Sequence, residues 1–121
     1  MKKSLRDKVT SETMERYKQM FADAPAEKRF LAEQIYPSAA FFKGVCYELM
    51  EEVKANGCIG EMTNGNGIKK IDVTPAYKEL KDTAKTLNSC IDSLAKLFPE
   101  IKKNLKSESD ELLAFIAKGK R

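Results

Sequence analysis

The 121-residue chain contains no histidine. This absence excludes every Ser-His and Cys-His nucleophile arrangement and the HExxH zinc site, because each of them needs an imidazole. Carboxylates are present, among them Glu48, Glu51 and Glu52 on one predicted helix, but carboxylate metal sites between helices usually also recruit histidine. We therefore expect a protein that is not an enzyme and that has no cofactor and no metal site.

Signals for disulfides, membrane spans and secretion are also missing. Cys46, Cys58 and Cys90 are odd in number and lack CxxC spacing, which is typical of reduced thiols that act as small apolar side chains. No apolar run approaches the ~18 residues that cross a bilayer, and the basic N-terminus lacks the apolar segment of a signal peptide. We expect an intracellular protein with no membrane association.

Glycine motifs that bind phosphate are absent as well. Residues 64–70 are Asn-Gly-Asn-Gly-Ile-Lys-Lys, which has neither the spacing of a Walker loop nor the three glycines of a dinucleotide-binding turn. Asn-Gly pairs between two β-compatible runs instead favour a tight hairpin, because its turn needs positive φ. The sequence therefore predicts a β-hairpin over residues 58–73.

The most informative pattern that is present is a heptad seam on a helix that Thr74 caps and Pro75 begins. Its apolar residues lie alternately three and four positions apart and are flanked by charged side chains: Tyr77, Leu80, Ala84, Leu87, Ile91, Leu94 and Phe98. A seam this regular needs a partner helix along its whole length. The pattern therefore predicts a long amphipathic helix whose function lies largely in association.

Residues 26–56 predict a second long helix, which Asn56-Gly57 ends because both residues tolerate the left-handed conformation of a helix terminus. Pro37 interrupts this pattern, so the helix kinks, is briefly broken or consists of two helices. A shorter helix is predicted for residues 11–23 with Ser11 as its N-cap. The apolar stripe of the second helix, broad enough to face a core, comprises Leu31, Ile35, Phe41, Phe42, Val45, Cys46, Leu49, Met50 and Val53.

These elements predict a mostly α fold: a long helical hairpin with an inserted β-hairpin, a short N-terminal helix and a C-terminal tail. We divide the chain into a basic arm with its short helix (1–25), the hairpin core (26–106) and an acidic, apolar tail (107–121). Two apolar helix faces exceed what one subunit is expected to cover, so we predict an oligomer. Its interface is expected to include Phe42, Leu49, Tyr77, Leu80, Leu87, Ile91 and Leu94.

Basic residues are concentrated in two regions. Residues 1–8 contain four basic groups and one acidic group, and residues 69–106 contain nine basic and five acidic groups. Such regions can contact phosphates, although ordinary solvated lysines are an equally good interpretation for each residue alone. The candidates for DNA contact are Lys2, Lys3, Arg6, Lys8, Arg16, Lys18, Lys102, Lys103 and Lys106.

The tail places four large apolar residues within five positions, directly after an acidic segment: Leu112, Leu113, Phe115 and Ile116. An amphipathic helix that lies in a partner's groove is a common recognition mode. The same pattern also fits a last helix of the core. The sequence leaves both interpretations open.

Several motifs occur in an order known from one family. They are a helix end at 53–57 (Val-Lys-Ala-Asn-Gly), a turn at 63–67 (Thr-Asn-Gly-Asn-Gly), a helix start at Thr74-Pro75, the apolar helix through 87–94, and Leu-Phe-Pro-Glu-Ile-Lys-Lys-Asn-Leu at 97–105. In order and spacing, residues 30–105 resemble the small subunit of phage terminase, in the branch called the P-twenty-seven-like family. Thr74 stands where that family usually has asparagine, and Pro37 inside the long helix departs from its pattern.

The resemblance implies a non-enzymatic component of phage DNA packaging in the cytoplasm of a bacterial host. Such subunits assemble into homo-oligomeric rings, bind double-stranded viral DNA, and recruit or regulate the large terminase subunit, which carries the ATPase and nuclease. In this chain the tail residues would then be the docking element for the large subunit. The alternative is a small helical regulator or scaffold that binds only protein.

Overall fold

The computed structural model describes residues 4–63, 67 and 69–119. Within these residues the fold is mostly α-helical with one two-stranded antiparallel sheet, which confirms the predicted class. The elements follow in the order α1 (Leu5–Met20), α2 (Ala26–Asn56), β1 (Ile59–Thr63), β2 (Lys69–Val73), α3 (Pro75–Leu97), a 3₁₀ turn (Pro99–Ile101), α4 (Lys102–Ser107) and α5 (Asp110–Gly119).

The first helix, α1, begins earlier than the sequence predicts, at Leu5 instead of residue 11. The Ser4 hydroxyl accepts a hydrogen bond from the backbone N–H of Asp7 (3.1 Å), so Ser4 and not Ser11 is the N-cap. The first turn of a helix has backbone donors without helical partners, and a capping serine satisfies one of them. Part of the segment expected to be a basic arm is therefore helical.

The second helix, α2, is one continuous α-helix of 31 residues with Pro37 in its interior. The predicted break and the two-helix alternative are therefore wrong. The helix ends at Asn56 as predicted. The following Gly57 has a φ of 84° and donates its N–H to the carbonyl of Val53, a conformation that costs glycine little because it has no Cβ.

In the chain segment that connects α2 to α3, strands β1 and β2 form an antiparallel ribbon. They pair in the register Ile59↔Val73 and Glu61↔Ile71. The predicted turn residues 64–66 and 68 lie outside the described residues. At the base of the ribbon, Thr74 donates its backbone N–H to the Cys58 carbonyl at 2.9 Å. No helix makes an extensive contact with the described part of the ribbon, so it projects from the helical body.

The core is built around the apolar seam of α3. Its most extensive contact is with α2, while α4 and α5 also pack on α3 and α1 packs on α2. At one end of the molecule, the Phe21 ring after α1 stacks on Phe98 after α3, with 4.6 Å between ring centroids. Five seam side chains are at most 1% exposed: Tyr77, Leu80, Leu87, Ile91 and Leu94.

This burial corrects the expected oligomer interface. The five seam residues obtain their partner helices from the same chain, because the helices that pack around α3 supply the apolar surface the seam needs. Their side chains therefore lie in the core instead of at a surface that a second copy can reach. Of the predicted interface residues, only Phe42 and Leu49 keep partly exposed side chains.

Candidate functional site

Four lysines converge where α3 ends and α4 begins. The chain turns at Pro99, and α4 packs back against α3. This turn creates an open cleft of about 500 Å³ that Lys96, Lys102 and Lys106 line together with Asp92, and a neighbouring hollow that Lys102, Lys103 and Lys106 line together with Glu100 and Asp110. We call Lys96, Lys102, Lys103 and Lys106 the basic cleft.

The charges of the basic cleft are only partly compensated. Asp92 pairs with Lys106 at 3.4 Å, but both side chains are more than half exposed, so solvent screens the pair and it contributes little. Within the described part of the chain, no acidic side chain lies within ion-pair distance of Lys102 or Lys103. The cleft can therefore attract an anionic ligand, which would compete with a weak internal pair only at Lys106.

Three of the predicted DNA-contact residues meet in this cleft: Lys102, Lys103 and Lys106. Lys96 completes it but was not among the predicted residues. It belongs to α3, and its proximity to α4 depends on the direction in which the chain leaves the Pro99 turn. The local Lys-Leu-Phe-Pro-Glu-Ile-Lys-Lys sequence indicates a helix end and a new helix start at Pro99, but it does not give the direction in which the chain continues.

The basic residues on α1 do not join the cleft. Arg16 is held by Glu108, with Nε at 3.3 Å from Oε1 and Nη2 at 3.1 Å from Oε2. Arg6 lies 3.8 Å from Asp7, and Lys8 and Lys18 are exposed on α1. Lys2 and Lys3 lie outside the described residues. Arg16 therefore has a structural partner, which weakens its assignment as a phosphate contact.

Glu108 also accepts a hydrogen bond from the ammonium group of Lys43. Lys43 is the one charged residue on the buried side of α2. Lys43 Nζ lies 2.5 Å from Glu108 Oε2, and Lys43 is only 6% exposed. Burial alone would raise the pKa of Glu108, but the hydrogen bonds and charges of Lys43 and Arg16 outweigh it and lower the pKa below its ordinary value. We call Arg16, Lys43 and Glu108 the ion junction, because it joins α1 and α2 to the turn that precedes α5.

The tail forms a packed helix, α5, in which two of the predicted docking residues face inward. Leu112 and Ile116 are buried, whereas Leu113 is 39% exposed and Phe115 is partly buried. The Tyr77 hydroxyl donates to the Ile116 carbonyl at 2.8 Å. Leu112 and Ile116 are thus core residues, and Leu113 and Phe115 are the part of the predicted docking element that lies at the surface.

Tyr47 adds a second connection between α2 and α5. Its hydroxyl donates to Glu111 at 3.0 Å. Burial and this hydrogen bond raise the pKa of Tyr47 to about 12, so the phenol stays protonated as a donor at physiological pH. The helix α5 is therefore fixed by polar contacts at both Glu108 and Glu111, in addition to its buried apolar residues.

A different apolar surface lies on the side of α2 that faces away from the core. Phe30 is 62% exposed, Leu31 43% and Phe41 47%. Three neighbours at the edge of this side are partly exposed, namely Phe42, Val45 and Leu49, and of these Phe42 and Leu49 also pack against the core. We call these six residues the outer α2 surface. The prediction that Leu31 and Phe41 face the core is wrong, because smaller side chains, among them Ala39, Ala40 and Gly44, occupy the buried side.

Compared with protein-family models, curated proteins and solved structures, the chain matches none of them. Among the helices of residues 4–63 and 69–119, none has both the length and the apolar composition that a membrane span requires. In the same residues, no three acidic or cysteine side chains come together as ligands of a metal ion.

Proposed function

We propose that this protein is a small, non-catalytic component of phage DNA packaging, of the terminase small-subunit kind. In this proposal it binds double-stranded viral DNA, assembles with copies of itself, and recruits or regulates the large subunit that carries the ATPase and nuclease. The observation that carries the proposal is the basic cleft. The order of motifs over residues 30–105, which resembles that family, supports it independently.

The composition of the cleft suits contact with a phosphate backbone. Lysines are flexible point charges that contact phosphates without reading the bases. Duplex DNA carries about one negative charge per 1.7 Å of helix axis, so each neutralised phosphate releases counterions and contributes to affinity. A homo-oligomer would present several basic clefts to one duplex and thereby gain avidity.

The surface of α5 provides the proposed contact with the large subunit. Leu113 and Phe115 are accessible in part, while Leu112 and Ile116 anchor the helix to the body. Docking through the two outer residues requires no unfolding of α5. Because residues two positions apart lie on nearly opposite sides of a helix, this narrows the docking element from the whole tail to the two edges of α5 that flank its buried side.

The DNA proposal is tested by measuring the affinity of the protein for a labelled duplex as a function of salt. We expect the triple variant Lys102→Ala, Lys103→Ala and Lys106→Ala to weaken binding by at least tenfold and to reduce the slope of log affinity against log salt. The comparison variant Lys8→Ala with Lys18→Ala removes charge from α1 and should change both quantities far less.

Two outcomes contradict the DNA proposal. An affinity of the wild-type protein that does not change with salt would show that phosphate contacts do not carry binding. A larger loss in the α1 variant than in the cleft variant would move the DNA contact to α1.

The outer α2 surface supports a second candidate function, a small regulator or scaffold that binds only protein. Exposed phenylalanines next to one another are typical of protein interfaces. A gel-shift experiment at low salt separates the two candidates, because a protein-only regulator would leave the duplex unretarded at every protein concentration.

A further inference from the structure

Three of the seven large apolar side chains exposed in the described residues belong to the outer α2 surface: Phe30, Leu31 and Phe41. Phe30 and Phe41 are 11 positions apart, about three helical turns, so they lie on the same side of α2. Single exposed apolar residues are common, but a contiguous group indicates an interaction surface. Phe30, Leu31 and Phe41 are exposed in the described chain, whereas Phe42 and Leu49 pack partly against the core.

The charged residues bordering this surface are acidic. Helical periodicity places Glu27, Glu48 and Glu52 on the same side of α2 as Phe41. The basic residues of α2 are engaged elsewhere: Lys28 lies over the Phe98 ring, Arg29 donates to the Ala22 carbonyl, Lys43 belongs to the ion junction, and Lys54 pairs with Glu51. Two copies joined through this surface alone would bring carboxylates together, so the surface needs a basic partner.

A basic partner surface is present on the outward side of α3. Lys78, Lys85 and Lys96 follow one another at helical spacing on the exposed side of this helix. The side chains of Ser89 and Ser93, which lie between them, donate to carbonyls of their own helix at 3.2 and 3.1 Å. We call these five residues the outer α3 surface. Its Lys96 also belongs to the basic cleft, so the two surfaces adjoin at the end of α3.

Two carboxylates, Asp82 and Asp92, share this side of α3 with the lysines, and the exposed pair of Asp92 with Lys106 at 3.4 Å is screened by solvent. The three lysines outnumber the two carboxylates, so the outer α3 surface is weakly basic. The lengths of the two surfaces also correspond. Glu27 and Glu48 are about 32 Å apart along α2, and Lys78 and Lys96 are about 27 Å apart along α3.

We propose that the outer α2 surface of one copy of this chain docks on the outer α3 surface of a second copy. In this contact Phe30 and Phe41 pack against the serine-rich side of α3, and the bordering glutamates meet the lysines. Because every copy carries both surfaces, each copy can supply either side of the contact. The inference rests on the homo-oligomer in the proposed function and specifies which surfaces form it.

The first test is native mass spectrometry of the purified full chain. We expect wild-type protein to be oligomeric, and the variant Phe30→Ala with Phe41→Ala to raise the dissociation constant at least tenfold. The control is Leu113→Ala, which removes an exposed apolar side chain outside the proposed contact and should leave the oligomer unchanged. Circular dichroism checks that all variants keep the wild-type helical content.

The second test exchanges charges between the two surfaces. We expect Glu48→Lys with Glu52→Lys to dissociate the oligomer, and Lys78→Glu with Lys85→Glu to do the same. In an equimolar mixture of these two variants, every contact between unlike copies again joins opposite charges. Native mass spectrometry should therefore show assemblies that contain both variants, although each variant alone stays dissociated.

The outcomes distinguish the inference from the proposed function. A wild-type protein that is monomeric at every concentration tested would overturn both the proposed homo-oligomer and this contact. A wild-type oligomer that the phenylalanine and charge variants leave intact would overturn only the contact, since assembly would then use another surface. Failure of the folded charge variants to associate when mixed would also overturn the contact.

Discussion

The long helices α2 and α3 lie side by side, and each carries a long apolar stripe, but the fold covers them differently. On α3 the largest apolar side chains point into the core, whereas on α2 Phe30 and Phe41 point away from it. The buried side of α2 instead includes Ala39, Ala40 and Gly44, and at Gly44 the missing Cβ lets α1 approach closely. Large apolar residues thus mark the core on one helix and a surface on the other.

The largest difference between these helices should appear when the same leucine deletion is made on each. Leu94 on α3 is fully buried, and Leu31 on α2 is 43% exposed. We expect Leu94→Ala to lower the free energy of unfolding by about 2–5 kcal/mol, because it removes buried contacts and leaves a cavity. Leu31→Ala should change it by less than about 0.5 kcal/mol.

Urea denaturation followed by circular dichroism measures both values. The measurement is made at low protein concentration, because dissociation of an oligomer would add a concentration-dependent contribution. Equal losses for the two variants would show that the outer α2 surface is covered within one subunit, and the distinction between the two helices would fail.

The sequence predicted α3 well because its heptad seam, its Thr74 cap and its proline start all indicate the same helix face. On α2 the prediction ranked large apolar residues as core, which selected Leu31 and Phe41 over the alanines. Because α1 packs closely on α2 at Gly44, small residues occupy the buried side there. This packing joins residues that are distant in sequence, so the local pattern could not predict it. The sequence also contains no local sign of the ion junction, because Lys43 and Glu108 are 65 positions apart.

A charge substitution in the ion junction measures how much the buried Lys43 of α2 depends on its carboxylate partner. Replacing Glu108 by Gln leaves the buried Lys43 ammonium without its carboxylate. We expect the free energy of unfolding to fall by about 2–3 kcal/mol, less than for a fully buried pair because Arg16 is partly exposed. The matched control is Glu111→Gln on α5, whose side chain is more exposed and should cost less than about 1 kcal/mol.

The same junction gives a pH dependence with a defined sign. The pKa of Glu108 is lower in the folded protein than its ordinary value of 4.5. Its stabilising contribution is therefore complete above the unfolded-state pKa and is lost as the pH falls through the folded-state pKa. The stability difference between wild type and Glu108→Gln should stay constant between about pH 6 and 8 and shrink in acid. A difference that grows in acid would contradict this assignment.

A substitution at Gly44 tests the close contact between α1 and α2, which leaves the large apolar residues of α2 on its outer side. In an exposed helix interior, Gly→Ala normally stabilises by about 0.5–1 kcal/mol. A Cβ at position 44 would instead meet the Thr10 hydroxyl and lie 2.5 Å from the Arg6 carbonyl oxygen. We expect Gly44→Ala to destabilise by about 1–3 kcal/mol in thermal or urea unfolding. Ser38→Ala on the exposed side of α2 is the control and should be neutral or slightly stabilising, and a stabilising Gly44→Ala would refute the close contact.

The smallest effect concerns the three cysteines, which compare the accessibility of the buried side of α2 (Cys46) with that of the ribbon base (Cys58) and of α3 (Cys90) without altering the fold. Cys46 is fully buried, and burial raises the pKa of its thiol to about 12. Cys90 lines an open groove between α2 and α3 and is only partly buried, as is Cys58 at the base of the ribbon. Because the thiolate is the reactive form and access limits its reaction, an alkylating reagent at about pH 8 should modify Cys58 and Cys90 well before Cys46.

Peptide mass spectrometry over time measures this order, and in denaturant all three should react at similar rates. Early modification of Cys46 in the native protein would mean that the core packing on the buried side of α2 opens readily, and the two sides of α2 would then not differ in accessibility.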